Sequence, residues 1–162
     1  MRFFLVFLFL LSFQLVISQS KNFISLQASF NKMDFFSGFN YEREVSRINY
    51  SASIELGVIK TFFQSRVFPR SAFGFSYAII KKEHFSILPE LSYSFSVLKI
   101  DKNHFWNEYY VGYKAIFGNR IQFYQSTKIG LMNEIFQSEL HNKRQSVNCF
   151  GYNIAIGLRY EI

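Results

Sequence analysis

Read in steps of two from its last residue, the sequence gives Ile162, Tyr160, Leu158, Ile156, Ile154, Tyr152 and Phe150, all apolar. The intervening positions are Glu161, Arg159, Gly157, Ala155, Asn153, Gly151 and Cys149, all polar or small. Successive side chains on a β-strand point to opposite faces, so this stretch reads as one long strand with a greasy face and a small or polar one. A helix would scatter the same residues around its circumference. The period recurs: Ile48, Tyr50, Ala52, Ile54, Leu56 and Val58 oppose Asn49, Ser51, Ser53, Glu55 and Gly57. Leu91, Tyr93, Phe95 and Val97 oppose Glu90, Ser92, Ser94 and Ser96. Similar runs occupy residues 73–79, 109–117 and 121–131, and a weaker pair sets Ile24, Leu26, Ala28 and Phe30 beside Phe35, Phe39 and Tyr41.

Turn signals separate the runs. Gly118-Asn119 and residues 81–84 read as tight hairpins, with a third near Val45-Ser46. Longer polar connections are expected at residues 60–70, 100–104 and 138–145, and a short one at 31–34. Eight strands joined in this way form an up-and-down antiparallel meander. Closing it into a barrel removes the exposed edges.

The N-terminus follows a different rule. Arg2 precedes nine apolar residues (3–11), polar residues enter at Ser12 and Gln14, and Val16 and Ser18 sit where a signal peptidase reads. The run is too short for a spanning helix, which needs ~20 apolar residues. Residues 1–18 are therefore expected to be a signal peptide, and 19–162 a single barrel domain. One Cys in 162 residues excludes an internal disulfide framework and a Cys-rich zinc module.

Periodicity leaves two barrels open. In a soluble lipocalin-like carrier the apolar face lines a ligand cavity; in a transmembrane barrel it faces lipid and the interior is polar. The composition favours the second: 22 Phe, 10 Tyr and 1 Trp coexist with a mean hydropathy of only +0.06. The small-polar face carries sparse charges, Glu55, Glu90, Lys114, Lys128 and Arg159, suited to a narrow interior in which they neutralise one another.

The last six residues, Gly157-Leu158-Arg159-Tyr160-Glu161-Ile162, resemble the C-terminal assembly signal of Gram-negative outer-membrane barrels, with Gly157, Tyr160 and Ile162 at its marked positions. Ala155 stands where a polar residue is usual, and Ile162 where Phe is commoner. The stretch Gly38-Phe39-Asn40-Tyr41-Glu42-Arg43, followed by residues 48–57, is similar to a hairpin frequent in the small OmpA/OmpX-like and "outer membrane protein beta-barrel domain" families. The resemblance implies an all-β, eight-stranded transmembrane barrel in the outer membrane, inserted by the barrel-assembly machinery. Its surroundings would be outer-membrane lipids and lipopolysaccharide, and its role structural or surface-interactive, with no open pore.

Enzyme chemistry is thinly represented. Outer-membrane lipid A deacylases use His, Ser and Glu, and His84, Ser86 and Glu90 supply those types, but at a turn end facing away from the outer leaflet. His104 and His141 fall in longer connections, so no shared metal site is expected. Cys149, on the small-polar face, has no visible activating partner. No cofactor motif occurs. The net charge of +7 places Lys60, Arg66, Arg70, Lys143 and Arg144 in expected loops, where they hold the barrel in register with the bilayer or meet anionic lipopolysaccharide. An exported barrel does not meet nucleic acid.

Overall fold

The computed structural model describes residues 20–32, 34–60, 65–99, 103–137 and 144–162; the expected signal peptide lies outside them. Nine strand segments follow one another: β1 (Ser20–Asn31), β2 (Phe35–Val45), β3 (Ile48–Lys60), β4 (Ser65–Tyr77), β5 (Ile80–Lys82), β6 (Phe85–Lys99), β7 (Asn103–Gly118), β8 (Ile121–Gln137) and β9 (Arg144–Glu161). Consecutive strands pair antiparallel, β4 pairs with β6, and β9 returns to β1, so the sheet closes. The short β5 continues β4 after a bulge: Ser76 faces Glu90 but Ile80 faces Ile87, leaving one extra residue between them. Nine segments thus make eight staves.

Following partners once around the barrel leads from Lys21 through Glu44, Asn49, Ser76, Glu90, Gly112, Lys128 and Asn153 back to β1 at Asn31. The return lands ten residues beyond the start, at 31 instead of 21. For eight strands that stagger inclines each strand by about 40° to the axis.

The three tight turns fall where the sequence places them, at Ser46-Arg47, Glu83-His84 and Asn119-Arg120. Ser46 (φ 58°) and Gly118 (φ 111°) carry the left-handed backbone that two of these hairpins require. The expected long connections are shorter than the sequence suggests: β3 continues to Lys60, β4 already begins at Ser65, and β9 at Arg144. The reason is a local change of polarity. Inward positions in this region hold Phe68 and Trp106, buried and apolar, while Asn107 faces outward, so the alternation inverts.

Side-chain direction decides the two-barrel question. The apolar face is outside. Leu26, Ile54 and Leu158 are exposed to 60%, 69% and 57%, whereas Glu42, Glu55 and Asn153 on the other face are exposed to 0%, 3% and 3%. Along β9 the outward run over residues 150–160 rises about 25 Å along the axis at this inclination. Within the band, aromatics gather towards both ends. Tyr41, Tyr50, Phe75, Phe123 and Tyr160 lie near the tight turns, and Phe30, Phe35, Tyr109, Phe150 and Tyr152 near the opposite rim. Leu26, Ile54, Val111, Ile129, Ile154 and Ile156 form a mainly aliphatic waist between them, interrupted by Phe39, which lies between Leu26 and Ile54.

The interior is layered. At the loop end Phe36, Phe68, Leu98 and Trp106 form a buried apolar cluster; at the turn end Ala78, Leu88, Ile116 and Tyr124 form another. Polar side chains fill the space between. Small residues make room for large ones: a Cβ on Gly57 would lie 2.6 Å from the Phe36 ring, and one on Gly157 would lie 2.6 Å from the Tyr124 ring and from the Leu26 carbonyl.

Candidate functional site: the charged interior

Between the two apolar clusters, alternation turns a set of ionisable residues inward from seven strands, and each finds an opposite charge. Glu42 is at the centre of the first group. Its Oε1 accepts from Lys114 Nζ at 2.9 Å and from Asn40 Nδ2 at 2.9 Å, and its Oε2 from Arg159 Nη1 at 2.7 Å. Glu90 accepts from Lys128 Nζ and Ser126 Oγ, both at 3.0 Å. In the second group Arg70 Nη2 lies 2.8 Å from Glu108 and its Nη1 3.5 Å from Glu55. Gln27, Ser29 and Ser53 donate further hydrogen bonds to Glu55, and Asn31 and Ser94 donate to Glu108.

Five carboxylates (Glu42, Glu44, Glu55, Glu90, Glu108) thus meet four cations (Arg70, Lys114, Lys128, Arg159) among the described interior residues, Glu44 reaching Arg159 at 3.7 Å. Three of the cations also rest on aromatic faces: Arg159 is 3.9 Å from the Phe23 ring centroid, Arg70 4.5 Å from Phe36 and Lys114 4.9 Å from Tyr124. The remaining space is a polar cavity of about 40 Å³, bordered by Glu55, Arg70, Glu90, Lys114, Lys128 and Asn153. It has room for a few waters at most. Arg70 Nε, Trp106 Nε1 and Tyr110 Oη are buried without a hydrogen-bond partner among the described residues.

Of the sequence-derived charges, the structure brings Lys114 and Arg159 onto Glu42 and pairs Glu90 with Lys128, while Glu55 meets Arg70. Sequence reasoning missed Glu42, Arg70 and Glu108. Counting in steps of two from the outward Tyr41 and Tyr109 turns Glu42 and Glu108 inward, so the signal was present. The polar run over residues 60–70 places Arg70 in a loop; it is instead 4% exposed inside the barrel. Phe68 next to it on the inward side broke the pattern that would have extended the strand.

The C-terminal positions divide between the faces. Tyr160 and Ile162 point outward, exposed to 41% and 61%, with the Arg120 guanidinium 5.5 Å from the Tyr160 ring. Gly157 faces inward against Tyr124. Gly157→Ala should therefore lower stability by about 1–3 kcal/mol through overpacking, read from urea unfolding of the assembled barrel. An unchanged midpoint would refute the packing account.

The residues weighed for hydrolase chemistry do not converge. His84 sits exposed in the β5–β6 turn with Nδ1 against Asn119 Oδ1, about 20 Å along the strand from Glu90, which is occupied by Lys128. His104 lies on β7 rather than in a loop; its Nδ1 is 2.8 Å from Glu134, and its ring stacks on Phe136. His141 lies outside the described residues. Cys149 is a half-buried free thiol.

No protein-family model matches the chain, and no curated protein does. Among solved structures it is similar to the N-terminal beta-barrel domain of Pseudomonas aeruginosa OprF. The TM-score is 0.57 at 7% identity, over 89% of this chain and 98% of that one. The shared property is the fold: a closed, eight-stranded antiparallel barrel.

Proposed function

We propose that the protein is a small outer-membrane barrel with a closed interior, exported through a cleaved signal at residues 1–18, whose role is structural or surface-interactive. The observation that carries this reading is the reversed polarity of the barrel. An apolar band about 25 Å tall, with aromatics at both margins, matches the hydrocarbon thickness that such barrels present to lipid. The OprF-like fold supports it. Membership of the OmpA/OmpX-like group rests on the hairpin and C-terminal motifs. In this reading Gly157, Tyr160 and Ile162 are presented to the barrel-assembly machinery, and charged side chains at the rims (Lys21, Arg47, Lys82, Arg120) meet lipid headgroups. The apolar clusters at both ends and the ion pairs between them support an interior that conducts nothing. A carrier for an apolar ligand would need the opposite polarity, and a lipid-modifying hydrolase a converged His-Ser-Glu set.

Detergent-extracted protein should migrate differently on a denaturing gel before and after boiling, as a barrel held by its closed hydrogen-bond network does. Solubility without detergent, combined with no shift, would overturn the membrane assignment.

A further inference from the structure

Two sulfur-bearing side chains face the lumen as neighbours. Met132 on β8 and Cys149 on β9 are direct partners, and both turn inward, Met132 buried and Cys149 a half-buried free thiol. Facing residues of an antiparallel pair hold their Cβ atoms ~5 Å apart, within reach of one shared ion. Gly151 is the next inward residue of β9, and two groups occupy the space that a side chain would take. A Cβ there would lie 2.6 Å from Met132 Sδ and 3.1 Å from Tyr110 Oη. The thioether and the phenol thus converge over the same glycine, one inward step from Cys149. Tyr110 is 4% exposed, and its Oη has no hydrogen-bond partner among the described residues. A buried hydroxyl left unmet is costly, so its place beside two sulfurs points to a ligand there. Val147, the inward residue beyond Cys149, is exposed, so a small ion reaches the thiol from the loop end.

The donors decide the ligand. Thiolate and thioether sulfur select soft metals over hard ones. A zinc-type site needs four donors, and no three His, Cys, Asp or Glu side chains come together to hold a metal among the described residues. Glu108, the partner of Met132 on β7, already receives Arg70, Asn31 and Ser94. Charge decides the valence. As a metal binds, the Cys149 thiol releases its proton to water and Sγ bonds the ion, with no change of oxidation state. A monovalent ion leaves the interior charge as it was, whereas a divalent one adds a buried charge.

We propose that Cys149 and Met132 bind one soft monovalent cation, Cu(I) or Ag(I), at the loop end of the lumen, with the Tyr110 hydroxyl donating a hydrogen bond to the thiolate. Silver is the redox-inert probe. Detergent-solubilised barrel, reduced and free of chloride, is titrated with silver nitrate while isotope-labelled methionine methyl groups are followed by NMR. The Met132 signal should move and saturate at one silver per barrel, and the Met33 signal should stay in place as the internal reference. Cys149→Ser should abolish silver binding. Met132→Leu, which keeps the side-chain volume, and Tyr110→Phe should each weaken it about tenfold or more. Zinc ions at the same concentration should neither move the Met132 signal nor displace the silver. A wild-type Met132 signal that stays still, or silver held equally tightly by either variant, overturns the proposal: Cys149 then captures metal as any accessible thiol does. Displacement of the silver by zinc overturns it as well. The wild-type titration decides the matter if a variant fails to assemble. The site belongs to the barrel interior and does not rest on the membrane reading, which the boiling shift tests separately.

Discussion

Glu42→Gln is expected to destabilise the barrel by about 3–5 kcal/mol, because it removes the carboxylate shared by two buried cations and leaves Lys114 without its direct ion pair and Arg159 with only the longer 3.7 Å one to Glu44. Glu42 has no exposed surface and receives Lys114 on one oxygen and Arg159 on the other. Gln keeps the shape and one acceptor oxygen, so the loss is mainly that of charge. Neither cation can turn to bulk water: both side chains are 5% exposed or less, and the apolar clusters block the axis. Urea unfolding in detergent measures the loss. Adding Lys114→Met should recover part of it, since the cation left without its direct ion pair is then gone. The surface pair Lys21–Glu161 is the control. Lys21 is 56% exposed there, and Lys21→Gln should cost no more than about 1 kcal/mol. Equal losses at the two sites would show that the interior is hydrated and that its charges are screened.

The strand order and the inside-outside assignment of most side chains were legible in the sequence because period two is a hard consequence of strand geometry. Ile48 to Val58 and the final strand show it most cleanly: every large apolar residue on the expected face except the half-buried Ile48 is exposed, and Asn153 and Arg159 are buried between them. What the sequence hid were the ends of the barrel interior. There the inward residues are Phe36, Phe68, Leu98 and Trp106, which seal the lumen and so invert the polarity that marks a strand. The same inversion concealed Arg70 and shortened the strands expected on either side of residues 61–64. Charge pairing was illegible for a different reason. It depends on the stagger of ten residues around the barrel, which brings Glu42 on β2 against Lys114 on β7 and Arg159 on β9. No local pattern encodes that number; it emerges when the sheet closes.

Ile154→Arg tests the exterior as Glu42→Gln tests the interior. Ile154 lies in the aliphatic waist, opposite Thr127 on β8 and Phe30 on β1, with its side chain outward. If lipid surrounds the waist, a guanidinium there should cost about 2–4 kcal/mol, measured by urea unfolding from lipid vesicles. Six positions along the same strand, Tyr160 sits at the margin beside Arg120, where an arginine can reach headgroups and water. Tyr160→Arg should therefore cost only about 0–1 kcal/mol in charge placement. The contrast matters more than either value. A folded barrel in detergent should show a weaker gradient between the two sites, because a micelle thins around a charge more readily than a bilayer does. Equal, small costs at Ile154 and Tyr160 in vesicles would mean that no hydrocarbon layer covers the band. The outward apolar face would then have to be covered by protein, and the membrane reading would fall.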